Sequence, residues 1–100
     1  MIPLPTEFKS KGFLHRQVMR SGNIAIFERW KPSQTHHFEV ILIRVQKPSH
    51  RFGKDYPAKE RYPSAAEWGV FAWTCRDLSD ATDLADTLRR SKKEKPHLRR

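Results

Sequence analysis

Apolar and polar positions alternate in short runs along most of this chain, and the period changes once, near its end. From Gly12 to Arg20, Phe13, His15, Gln17 and Met19 alternate with Leu14, Arg16, Val18 and Arg20, which predicts a strand. Ser21-Gly22-Asn23 follows as a tight-turn signal, because Gly and Asn tolerate positive φ. Ile24 to Lys31 predicts a second strand, with Ile24, Ile26 and Trp30 on one face and Ala25 and Phe27 on the other. Pro32-Ser33-Gln34-Thr35 forms a loop. His36 to Gln46 is the strongest strand signal, with Phe38, Val40 and Leu42 on one side and Ile41, Ile43 and Val45 on the other. Apolar residues on both faces put this strand inside the sheet.

Residues 47–63 break the pattern. Pro48, Pro57, Pro63 and Gly53 interrupt regular structure, and only Tyr56 to Tyr62 suits an edge strand. Ser64-Ala65-Ala66-Glu67 has the form of a capping box and predicts one helical turn ending at Gly69. Val70 to Arg76 predicts a fourth strand, with Phe71, Trp73 and Cys75 set against Val70, Ala72 and Thr74. From Leu78 to Lys93 the apolar residues Ala81, Leu84, Ala85 and Leu88 recur at helical spacing. Asp77 or Ser79 suits the start of that helix. Asp80, Asp83 and Asp86 lie toward its positive end, with Arg89, Arg90, Lys92 and Lys93 toward its negative end.

The order β-β-β-loop-β-α predicts an α+β fold. It is a single two-layer domain, a roughly four-stranded, mostly antiparallel sheet with one C-terminal helix packed on one face. The domain is expected to span 12–93, after an extended lead-in over 1–11 and before a basic tail over 94–100 that frays beyond Pro96. A single helix covers one face. Aromatics such as Phe27 or Trp30 then need a cover, a partner or a ligand on the other.

Charge changes this picture. The formal net charge is +9, and seven of the twenty Lys and Arg lie in Arg89–Arg100 against one acid, Glu94. The basic character is therefore concentrated in a tail, which attracts polyanions without reading them. The stretch Arg51-Phe52-Gly53-Lys54-Asp55-Tyr56-Pro57-Ala58-Lys59-Glu60-Arg61-Tyr62 interleaves cations with rings, the mixture with which single-strand binders track phosphates and stack bases. Asp55 and Glu60 dilute its charge. The expected nucleic-acid contacts are Arg51, Phe52, Lys54, Tyr56, Lys59 and Arg61, joined by Arg89, Arg90, Lys92 and Lys93.

Other chemistries find little support. Gly53-Lys54 lacks the upstream Gly and following Ser/Thr of a phosphate loop. His15, His36, His37, His50 and Cys75 have no metal-ligand spacing, so no metal and no cofactor is expected. Cys75 alternates in phase with Phe71 and Trp73, which predicts a buried thiol. Asp77, Asp80, Asp83 and Asp86 are explained by capping and the helix dipole. No carboxylate pair suggests acid–base work, so no enzyme is expected. An enzyme would show a deep pocket holding a His or carboxylate of shifted pKa. No apolar run approaches the ~20 residues of a membrane span, and Met1-Ile2-Pro3-Leu4-Pro5 does not resemble a secretion signal. With a single Cys, the expected location is cytoplasmic.

Tyr62-Pro63-Ser64, Glu67-Trp68-Gly69 and Trp73-Thr74 make the most motif-like passage. Over roughly residues 36–88 the chain resembles small bacterial and phage-type proteins of no assigned activity that carry this arrangement. The resemblance implies a prokaryotic or mobile-element setting and brings no chemistry. The Trp-Gly step ahead of a strand and a late helix is also similar to the WGR module, a nucleic-acid-associated domain. Val70 stands where that triplet has its Arg, and no site is carried across.

Two functions follow. The first is a small non-catalytic basic module that contacts nucleic acid mainly through phosphates. The second is a protein-binding accessory or inhibitor that uses the uncovered sheet face, with a homodimer among its expected forms. No membrane partner is expected.

Overall fold

A computed structural model describes residues 1–94, the last three through their backbone alone. The strands are β1 (Glu7–Ser10), β2 (Phe13–Ser21), β3 (Ile24–Trp30), β4 (His37–Leu42), β5 (Arg44–Gln46), β6 (Ser49–Arg51), β7 (Lys54–Tyr56), β8 (Lys59–Arg61) and β9 (Ala72–Cys75), followed by the helix α1 (Leu78–Glu94). One antiparallel sheet of five strands runs in the order β1-β2-β3-β4-β9, with α1 against β3, β4 and β9. This is the expected α+β two-layer arrangement with one strand more. Glu7–Ser10 of the lead-in forms the edge strand β1, pairing Phe8 with His15, and Leu4 is a core residue.

Periodicity carried most of the architecture. Under α1 lie Ile24, Ile26, Val40, Ala81 and Ala85, bordered by Met19, Phe38, Leu42, Cys75, Leu84 and Leu88. Ala81 and Ala85 bring the helix backbone close to the sheet, and the leucines on the same stripe fill the flanks. Asp77 caps α1, its carboxylate accepting the Asp80 amide at 2.8 Å. Burial pushes the Cys75 thiol pKa up, and Asp80 and Asp77 add to the effect.

The opposite face is a second core, which corrects the expectation of an uncovered sheet. Leu4, Ala25, Phe27, Ile41, Ile43 and Ala72 are buried there beneath Phe8, Tyr62 and Trp68. The lead-in and the segment after β8 provide this cover. Trp30 lies on the other, helix-side face, where it stacks on His36 (centroids 5.3 Å apart) under Arg16.

A second correction concerns β2. Strict alternation puts His15, Gln17 and Met19 on one face. The register instead shifts between Gln17 and Met19, so that Gln17 pairs with Phe27 and Met19 with Ile26. Val18 is the extra residue of a β-bulge, which reverses the phase beyond it. His15 and Gln17 therefore face the second core, Met19 joins the helix side, and Arg20 is turned onto the face of the lead-in.

The strand expected over His36 to Gln46 breaks at Ile43 into β4 and β5, and residues 47–63 were expected to be irregular apart from an edge strand over Tyr56 to Tyr62. Residues 44–61 form a two-tiered antiparallel ribbon. β5 pairs with β8 (Arg44 with Arg61, Gln46 with Lys59), and β6 pairs with β7 (Ser49 with Tyr56, Arg51 with Lys54). Pro48 and Pro57 fall in the break between the tiers, where no ladder amide is needed.

Candidate nucleic-acid interface and an aromatic cleft

The ribbon ends in a two-residue turn, Phe52-Gly53, with φ of 54° and 75°. Positive φ at both central positions marks the primed turn whose twist matches that of a hairpin, and Asn-Gly is the preferred filling. A Phe in this conformation is an outlier, because its Cβ crowds the backbone. Its ring is 93% exposed. The chain therefore holds a large apolar side chain in a strained position and in water.

Pairing puts Arg51, Lys54, Ser49 and Tyr56 on one face of this ribbon and His50 and Asp55 on the other. The Arg51 guanidinium lies over the Tyr56 ring at 5.3 Å. Asp55 is bound by His50 at 2.6 Å. Glu60 accepts two bonds from Arg20, at 2.9 and 2.7 Å, and one from the Leu4 amide at 2.9 Å. Arg20 and then Leu4 hold the Glu60 carboxyl down at about 2. Of the two acids that dilute this stretch in the sequence, Glu60 is thus paired with a guanidinium and Asp55 is hydrogen-bonded to an imidazole.

The base of the ribbon is fixed by Glu67. Its carboxylate binds Arg44 and Arg61, the latter at 2.8 Å, and also accepts the Ser64 amide at 2.9 Å. The short 3-10 turn Ala65–Glu67 stands where one helical turn was expected. Arg44 also lies over Phe71 at 3.8 Å.

Of the residues expected to meet nucleic acid, the ribbon brings together Arg51, Phe52, Lys54 and Tyr56 at its tip, all exposed. Lys59 is exposed lower down, beside Gln46. Arg61 is engaged by Glu67 and half-buried. Arg89 and Arg90 are exposed on α1, with Arg89 paired to Asp86 at 2.8 Å. Lys92 and Lys93 are in the last turn of α1 and their side chains lie outside the described residues, as does the basic tail from residue 95 onward.

A cleft that sequence reasoning missed opens beside β1, on the face away from α1. Its volume is about 330 Å³. Phe8 stacks on His15 (4.5 Å, 7°), and Tyr62 meets Phe8, His15 and Phe27 edge-on. Glu39, 3% exposed, accepts a hydrogen bond from the Tyr62 hydroxyl and lies 3.7 Å from His15 Nε2 and 3.4 Å from Arg29 Nε. Burial lowers the pKa of His15, against the opposing pull of Glu39. Burial, reinforced by Glu39, raises that of Tyr62. Arg29 lies on the Phe13 ring at 4.0 Å, where Lys31 also approaches at 4.4 Å. One signal for this cleft was present in the sequence: Glu39 is a charge between Phe38 and Val40 in the most apolar strand, and such a charge is buried only with partners.

Among the described residues, no helix is long and apolar enough to cross a membrane, and no three His, Cys, Asp or Glu side chains group as metal ligands would. No family model, no curated protein and no solved structure matches this chain.

Proposed function

We propose that this chain is a nucleic-acid-binding module whose contact element is the ribbon formed by β5–β8. The observation that carries the reading is Phe52, a strained and exposed ring at the tip between Arg51 and Lys54. Strain at a backbone position is a pointer to function when a better-fitting residue is available. Here Asn would fit the turn and Phe does not. A ring at the end of a cationic ribbon stacks on an unstacked base or wedges between base steps, while the flanking cations meet phosphates. A two-stranded ribbon is also narrow enough to enter the major groove.

The charge layout supports the same reading. Arg20 offsets Glu60, so Lys47, Arg51, Lys54 and Lys59 outnumber the remaining acid of the ribbon, Asp55. Arg89 and Arg90 are two further exposed cations on α1, which packs on β3, β4 and β9. The alternative of a protein-binding module loses the free sheet face on which it depended.

The test is fluorescence anisotropy with labelled single-stranded and duplex oligonucleotides over a range of salt. Log affinity is expected to fall linearly with log salt, and Lys54→Gln is expected to reduce the slope by about one phosphate's worth, roughly 0.7–0.9. Absence of binding at low salt overturns the proposal.

A further inference from the structure

We propose that the cleft beside β1 binds a small molecule that joins a planar aromatic ring to one carboxylate or phosphate group. The inference is independent of the ribbon. It rests on what the cleft leaves unsatisfied. Arg29 Nε is buried and meets Glu39 only at 3.4 Å without hydrogen-bond geometry. The Arg29 side chain is about three-quarters buried, and its terminal amines, which make no hydrogen bond among the described residues, stay open to solvent. The Arg29 guanidinium lies over the Phe13 ring at 4.0 Å, and a guanidinium carries the fork of donors that takes an oxyanion in a bidentate fashion.

The local charge fits an anion. Arg29 offsets the Glu39 carboxylate, whose oxygens also meet the Tyr62 hydroxyl and His15, so the net positive charge of the lining comes from Lys11 at the rim. The walls fit a ring. Phe13, Tyr62 and Trp68 line the space, and its 330 Å³ lies within the range of small-ligand pockets. Trp68 is fixed there by its indole N–H, which donates to Thr74 Oγ1 at 2.9 Å. Ring and anion together use both features of the site, and either alone uses one.

The experiment is a titration of the full chain followed by amide and indole NMR signals, with two probes: indole-3-acetate, a carboxylate, and adenosine 5′-monophosphate, a phosphate. Saturable movement of the Trp68 indole N–H and the Phe13, Arg29 and Thr74 amides is expected with at least one probe, and the stronger one identifies the anionic group. Acetate alone and indole alone are expected to bind more weakly than the joined compound. Arg29→Gln is expected to reduce affinity about tenfold, as for loss of a charge-assisted contact. Because that variant leaves Glu39 with one partner fewer, Lys11→Asn provides a second test. Lys11 has φ of 53° in a turn that Asn tolerates, so the variant removes a cation without straining the fold. It is expected to weaken binding measurably. The proposal is overturned if neither probe moves these signals saturably, if acetate or indole alone matches the joined compound, or if a folded Lys11→Asn or Arg29→Gln protein binds as well as the parent.

Discussion

At the scale of single residues, buried charge and exposed apolar surface are the informative departures from the ordinary pattern. His15 has the sharper consequence for stability. Burial lowers its pKa below the ordinary 6.5, so the folded chain takes up fewer protons than the unfolded chain as the pH falls. Its contribution is complete above 6.5 and is lost progressively as pH drops toward the folded value. Glu60 acts in a lower window. Its carboxyl is held at about 2, so the contribution is present above 4.5 and is lost as pH falls from there toward 2. Chemical unfolding is therefore expected to show lower stability at about pH 5.5 than at about pH 7.5, and His15→Phe, which keeps the stack on Phe8, is expected to remove part of that difference. An unchanged difference in that variant would assign the acid sensitivity to other groups.

At the scale of elements, the bulge in β2 is dispensable to the pairing and the Glu67 carboxylate is not. Val18 is inserted between two otherwise consecutive pairs, so its deletion leaves every partner and every face of β2 as it is. The deletion is expected to give a folded protein with stability changed by less than about 2 kcal/mol. Deletion of Ala25 from the unbroken β3 reverses the faces of the residues on one side of it and is expected to abolish the cooperative transition. Circular dichroism with thermal unfolding distinguishes the two. Glu67 joins Arg44, Arg61 and the Ser64 amide from one half-buried position. Glu67→Gln is expected to cost about 2 kcal/mol and to speed amide exchange in β5 and β8, because two guanidiniums lose their counter-charge. Slow exchange in those strands would show that the ribbon base does not depend on this carboxylate.

At the scale of the whole molecule, two cores sandwich one sheet and a ribbon extends from its end. Much of this was legible in the sequence. Alternation separated Ile24 and Ile26 from Ala25 and Phe27 in β3, and Val40 from Ile41 in β4, because period-two patterns report faces directly, while the second core itself was not expected. Spacing likewise identified the buried stripe of α1. Apart from Glu39, a charge inside the most apolar strand, the rest had no local signal. Leu4 and Phe8 become core residues only through long-range pairing with β2 and β8, and a bulge is visible in register, not in composition. The ribbon was hidden by its prolines, which read as breaks yet fall between two short ladders. The cleft joins β1, β2, β3, β4 and the segment around Tyr62, so no window of sequence contains it. Charge is also a property at this scale. Removal of residues 91–100 takes away five cations and one acid, and it is expected to flatten the salt dependence of nucleic-acid binding while leaving the contribution of Phe52 intact.

The most direct measurement compares the parent chain with Phe52→Asn, in oligonucleotide affinity at one fixed low salt and in thermal midpoint. Asn-Gly suits the turn better than Phe-Gly, so the variant is expected to be as stable as the parent or slightly more so. Loss of one stacking ring is expected to weaken binding by about 1–3 kcal/mol, roughly five-fold to more than a hundred-fold. Equal affinity in a protein of equal or higher thermal midpoint would contradict the assignment of the ribbon tip as the nucleic-acid contact.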